Sequence, residues 1–207
     1  MTDEVVPVDA PDVVARAAAA LRAGRVVVLP TDTVYGVAAL PEDAAAMAEV
    51  FERKGRAATT PIAVLCADVE QALALAAPAA AGRARPAAAR HWPGPLTLVL
   101  PRRAGLALHL GEPTTTIGLR VPAHPVVQAL AALVGPLATT SANRHGEPTP
   151  ATAAEAARSL GPGLGLVVDG GPLEGSSSTV VDATGEPWRV LREGPVPASD
   201  LPLRAEG

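Results

Sequence analysis

Segments with helical hydrophobic spacing and short runs of Val, Leu and Ala alternate from one end of this 207-residue chain to the other. No other feature constrains the fold as tightly, because helices and strands taken in turn must pack as layers around a sheet. Asp9-Ala10-Pro11 opens a predicted helix that places Val14, Ala18 and Leu21 on one face and stops at Gly24. Residues 25–29 read as a buried strand ending at Pro30. A helix over 42–54 carries Met47, Val50 and Phe51 on one side and ends at Gly55. A strand over 61–66 and an Asp68-capped helix through Leu75 follow.

Residues 79–91 have helical composition, but Pro86 is expected to kink or divide that helix. Pro93-Gly94-Pro95 forces a turn before a strand over 96–100. A strand over 116–121, a helix over 125–134 and a strand over 137–140 come next, and a helix from Pro150 to about Gly161 follows. Three late strands, 166–168, 179–181 and 188–191, are separated by Gly-rich turns, some close enough to pair antiparallel. Residues 198–207 read as a tail. The expected fold class is α/β, a single domain over 1–207 built on an open, twisted, mixed sheet with flanking helices.

Composition narrows the function classes. Only Tyr35, Phe51, Trp92 and Trp188 are aromatic, so the core must be built from Val, Leu and Ala. The net charge of −4 argues against a protein that holds bulk nucleic acid by electrostatics, and tight direct RNA binding is not expected. Cys66 is the single cysteine, which excludes a disulfide framework and a thiolate metal cluster. No apolar run reaches membrane-spanning length and the acidic N-terminus lacks a leader pattern, so the expected location is the cytoplasm.

Five segments carry polar chemistry, and each has a bland reading beside the functional one. Thr31-Asp32-Thr33-Val34-Tyr35-Gly36 follows a core strand, where ligands gather in open α/β folds, or it is a self-capped turn. Lys54-Gly55-Arg56 either clamps a polyphosphate or suits the C-terminal dipole of its helix. Ser141-Ala142-Asn143 either ligates phosphate or carboxylate or caps its loop. Gly175-Ser176-Ser177-Ser178 either offers backbone N–H groups to an anion or is a plain loop. Arg192, at the end of a strand, reads most cheaply as a surface cation.

Their order is more specific than any one of them. Together with Trp92-Pro93-Gly94-Pro95-Leu96-Thr97, Leu119-Arg120-Val121-Pro122 before His124-Pro125, and Ser178-Thr179-Val180-Val181-Asp182, the set resembles the YrdC-type L-threonylcarbamoyladenylate synthase family over about 15–197. The resemblance implies a nucleotidyltransferase that condenses L-threonine, bicarbonate and ATP to threonylcarbamoyl-AMP and pyrophosphate. It implies hand-over of the product to a separate tRNA threonylcarbamoyl transferase complex. Thr33, Arg120, Thr139 and Ser178 would surround threonine; Lys54, Arg56, Thr60, Ser141, Asn143, Thr149 and Arg192 would hold ATP. Mg²⁺ would accompany ATP, with no protein ligand assignable. The nucleophile belongs to the substrate, so no catalytic side chain is required. Asp32 and Asp182 stand as helpers or structural caps.

The chain departs from the family pattern at Ala57, where Pro is frequent, at Leu65, where His is frequent, and at His145, where Ser often precedes the glycine. Rival readings are an RNA-binding module, an adenylating domain for a different carbamate, and a catalytically silent regulator.

Overall fold

The computed structural model describes residues 3–55, 60–112 and 115–202. Its ten strands form one sheet. In chain order they are β1 (Val5–Pro7), β2 (Val27–Leu29), β3 (Gly36–Ala39), β4 (Ala63–Leu65), β5 (Leu96–Pro101), β6 (Thr116–Arg120), β7 (Leu137–Ser141), β8 (Leu166–Asp169), β9 (Thr179–Asp182) and β10 (Arg189–Arg192). In space they run β1-β8-β2-β3-β7-β4-β6-β5-β9-β10. β8 is parallel to both β1 and β2, β4 to β6, and β5 to β9, whereas the remaining neighbours are antiparallel. The mixed α/β sheet expected from the sequence is therefore present.

Among the described residues, six α-helices flank it: α1 (Val13–Arg22), α2 (Ala44–Lys54), α3 (Val69–Leu73), α4 (Pro78–His91), α5 (Pro125–Val134) and α6 (Ala153–Leu160). Local chemistry fixes their ends. The Asp43 carboxylate accepts from the N–H groups of Ala45 and Ala46, and Gly55 closes α2 in the left-handed region at φ 58°. Thr152 and Glu155 form a reciprocal capping box at α6. Pro125 occupies the first turn of α5, where a missing N–H costs nothing.

The two faces of the sheet differ. One is covered along its length by a core that includes Val28, Tyr35, Met47, Val64, Ala84, Leu98 and Leu119. On the other face, α1 and α5 cover part of the sheet through Ala17, Leu21, Val127 and Leu130, which pack with Val27, Leu137 and Leu166. The uncovered remainder of that second face becomes the cavity described below.

Three expectations need correction. Helix α4 runs undivided across Pro86. Both Pro86 and Gly82, one turn earlier, are exposed, so the carbonyl left without a donor meets water. Strands β1 and β3 lie outside the expected set; β3, wholly buried, begins at Gly36, the last residue of the polar segment after β2. The tail starts later than expected, because Val196 and Leu201 are buried in the first core. No helix among the described residues is long and apolar enough to cross a membrane.

Candidate active site

A cavity of about 280 Å³ opens on the uncovered sheet face. Its floor follows from the two-residue period of strands. Along β6, Ile117 and Leu119 pack in the first core, while Thr116, Gly118 and Arg120 line the cavity, which Ile117 also borders. Thr97 and Val99 of β5, Thr139 and Ser141 of β7, and Ala63 and Leu65 of β4 share that face. Gly118 keeps the floor open, since a Cβ there would already touch Ala63 and Thr97 at 3.5 Å. Threonine and serine hydroxyls thus project from a hydrogen-bonded sheet into a hollow, and the site lies on the sheet face rather than beyond the strand ends.

Arg120 is buried, and its guanidinium is held at three points. Nε donates to the Gly94 carbonyl at 3.0 Å, Nη1 to Thr33 Oγ1 at 2.9 Å, and Nη2 to Asp32 Oδ1 at 2.6 Å. The turn that Pro93-Gly94-Pro95 forces therefore supplies one anchor, and the polar segment after β2 supplies two. Thr31 donates its single hydroxyl proton to the Val34 carbonyl, so Thr33, 3.0 Å away, must donate to Thr31. Five N–H groups on the guanidinium minus three commitments leave one on each Nη, a fork suited to a carboxylate. Burial pulls the Arg120 pKa down and the Asp32 carboxylate opposes that shift.

A second cation approaches from the far end of the chain. Arg192 Nε donates to the Ser178 carbonyl at 3.0 Å and Nη2 to Ser178 Oγ at 3.1 Å. Ser178 Oγ also lies 2.8 Å from Thr97 Oγ1. Arg192 lines the cavity, so the strand-end arginine is more than an isolated surface cation.

Lys54 is placed differently from the mobile phosphate clamp expected of it. It is buried, and Nζ donates to the Ser141 carbonyl at 2.7 Å and to Asn143 Oδ1 at 3.1 Å, with the Asn143 carbonyl also in contact. Asn143 Nδ2 in turn donates to the Glu147 carbonyl at 2.7 Å. Lys54 and Asn143 hold the loop after β7, and of this group Ser141 reaches the cavity wall. Thr60 and Thr149 are exposed and do not line that wall, although Pro61, next to Thr60, does. Arg56 falls outside the described residues, as does Ala57.

The structure brings Thr33, Arg120, Thr139, Ser141, Ser178 and Arg192 to one cavity. Sequence reasoning missed Thr31, Thr97, Thr116 and Thr140 as wall residues. For Thr97 a signal existed, because it is the polar member of the alternating Leu96-Thr97-Leu98 run. Trp92 and Trp188 are packed in the core as expected, with Trp92 Nε1 donating to the Leu96 carbonyl at 2.7 Å. Cys66 is buried too, and its thiol is pushed up to about 12 by desolvation. No cluster of His, Cys, Asp or Glu among the described residues could hold a metal ion.

The Sua5/YciO/YrdC family model, described as telomere recombination, matches residues 19–194. A Mycobacterium tuberculosis protein, named provisionally as a threonylcarbamoyl-AMP synthase, is 41% identical over 87% of this chain and 83% of its own length. The Bacillus subtilis threonylcarbamoyl-AMP synthase is 38% identical over 87% of this chain, which spans 53% of that relative. The structure of P. abyssi Sua5 complexed with L-threonine superposes with a TM-score of 0.86 at 36% identity, covering 95% of this chain and 58% of that one.

Proposed function

Because the chain belongs to the Sua5/YciO/YrdC family, we propose that it is an L-threonylcarbamoyladenylate synthase, joining L-threonine, bicarbonate and ATP. The observation that carries the reading is the Arg120 fork, buried and aimed into a hydroxyl-lined cavity that a second guanidinium borders. In that cavity Arg120 takes the threonine carboxylate, with Thr33, Thr139 and Ser178 around the amino acid. Arg192 and Ser141 face the nucleotide phosphates. Arg56, Thr60 and Thr149 complete the nucleotide set as expected from sequence. Lys54 and Asn143 serve it by holding the Ser141 loop. We take residues 1–207 as one domain, in keeping with the single sheet.

The chemistry needs no protein nucleophile. The threonine amine adds to bicarbonate with loss of water, giving a carbamate. A carbamate oxygen then attacks the α-phosphorus of ATP, and the bond to the β-phosphate breaks as pyrophosphate leaves. The chain contributes position and charge: Arg120 fixes one end of the nucleophile, and Arg192 offsets negative charge near the leaving group. Mg²⁺ supplies phosphate charge neutralisation when bound. No cluster of carboxylates or imidazoles among the described residues is assigned to it. The product passes to a tRNA threonylcarbamoyl transferase complex in the cytoplasm, and bare tRNA is not held tightly, given the net charge of −4.

The test is pyrophosphate release from Mg-ATP with threonine and bicarbonate omitted in turn. Release that requires both is expected. Release indifferent to both overturns the reading. The single wall residue that replaces the family's frequent His, Leu65, is 4% exposed and sits between the cavity and the second core. Serine is the amino acid to compare in the same assay.

A further inference from the structure

We infer that His124 and Asp32 form a positioning pair behind Arg120, His124 donating Nδ1–H towards Asp32 Oδ2 through one water, while Oδ1 holds the guanidinium. The inference rests on the reading of the cavity as the amino-acid site. It concerns a residue that neither the core nor the ligand set has absorbed.

Two buried side-chain polar atoms among the described residues have no hydrogen-bond partner, Asp32 Oδ2 and His124 Nδ1. Leaving either orphaned is costly, and their chemistry is complementary, an acceptor beside a ring nitrogen able to donate. Asp32 is bonded to Arg120 at the end of β6, and His124 follows Arg120 by four residues, close enough for the Asp32 charge to act on the imidazole. His124 precedes α5 yet makes no side-chain cap bond there, so the ring has no capping duty to hold it elsewhere. Burial keeps His124 below its ordinary pKa, with Asp32 partly opposing, so the ring is neutral near pH 7. A neutral imidazole has one N–H, and the tautomer decides whether it can serve Asp32.

Asp32 matters because of what it holds. It and Thr33 each occupy one Nη of Arg120, and Gly94 occupies Nε. Those three contacts fix the plane in which the two remaining N–H groups point. A carboxylate that drifts lets that plane turn, and a bidentate grip is lost before any charge is removed. His124 acts at one remove, by fixing the oxygen that Arg120 does not use.

Two measurements on the full chain decide the matter. Long-range proton–nitrogen correlation at pH 7 should show Nδ1 protonated on His124, identified by its loss in His124→Asn, with a shift to the Nε2–H tautomer in Asp32→Ala. Calorimetric titration should show threonine affinity down about tenfold in His124→Ala and restored to within about twofold in His124→Asn, whose amide supplies a donor at a similar place. ATP affinity should stay unchanged in both. An Nε2–H ring in the wild type overturns the pair, and so does full threonine affinity in His124→Ala. Tighter threonine binding in Asp32→Ala also overturns it, because Asp32 would then compete for Arg120 rather than aim it. If the wild type binds no threonine, the substrate reading fails by itself, and the dependence of the tautomer on Asp32 alone decides the pair.

Discussion

Arg120 and Arg192 face one cavity from β6 and β10, and after burial the Arg120 charge is what lowers the Arg192 pKa. Two like charges converge there, which favours an anion between them. The assignment separates their ligands. Arg120→Ala should chiefly weaken threonine binding and Arg192→Ala chiefly ATP binding, each by roughly 1.5–3 kcal/mol, or about ten- to a hundredfold in affinity. Arg120→Lys should recover only part of the loss, because an ammonium cannot make the forked contact. Isothermal titration of folded variants with each ligand reads both effects. Intact threonine affinity in Arg120→Ala would remove the central residue of the site.

The Lys54 ammonium satisfies carbonyl groups of the loop after β7. Lys54→Met keeps the volume and deletes the donors, leaving buried acceptors unpaired at roughly 1–3 kcal/mol each. The expected result is a lower urea midpoint together with weaker ATP binding. Weaker ATP binding at an unchanged midpoint would instead make Lys54 a direct phosphate contact.

A Cβ at Gly175 would lie 2.1 Å from the Thr33 carbonyl oxygen. Gly175→Ala should push the Gly/Ser loop away from Thr33. Because that loop is largely exposed, threonine affinity should fall while the thermal midpoint moves little. Calorimetric titration and a melting curve on the same variant check both halves.

The Cys66 thiol, pushed up to about 12 by burial, holds almost no thiolate near neutrality. Native protein at pH 8 should resist iodoacetamide and become labelled once unfolded in guanidinium. Mass spectrometry gives the count, and rapid native labelling would contradict the packing.

His124 provides a pH dependence of stability. Burial lowers its folded pKa below the ordinary 6.5, with Asp32 opposing. The unfolded chain therefore takes up the proton first as pH falls. The stability contributed by the neutral ring is complete above the unfolded pKa and is lost as pH drops through the folded one. Denaturant midpoints should decline from pH 7 to pH 5 more steeply in wild type than in His124→Asn.

Much of this was legible in the sequence, and the failures have physical causes. The end of α2 at Gly55 and the start of α5 at Pro125 were legible from local signals, whereas α6 starts at Ala153 behind its Thr152 cap rather than at Pro150. β3 escaped because its four residues follow a turn and show no alternation, both sides being buried. Pro86 does not divide its helix because it is on the wet side, where the carbonyl it leaves unpaired meets water. In the site, Arg120 and Ser178 were found from motif order. The inward commitment of Lys54 was not, since a sequence cannot show which neighbour a long side chain meets. The pairing of Asp32 with Arg120 depends on contact between the segment after β2 and the end of β6, strands that are not neighbours in the sheet.

Strand β8 lies between β1 and β2, and β9 pairs with β5. A ribosome delivers β1, β2 and β5 long before the strands that must join them. Nascent chains ending before residue 166 leave β1 and β2 unjoined, and those ending before residue 178 lack both Ser178 and Arg192. On the proposed assignment, neither substrate can be held until residues 178 to 192 have emerged, and the apolar strands that wait are exposed meanwhile to chaperones and to one another.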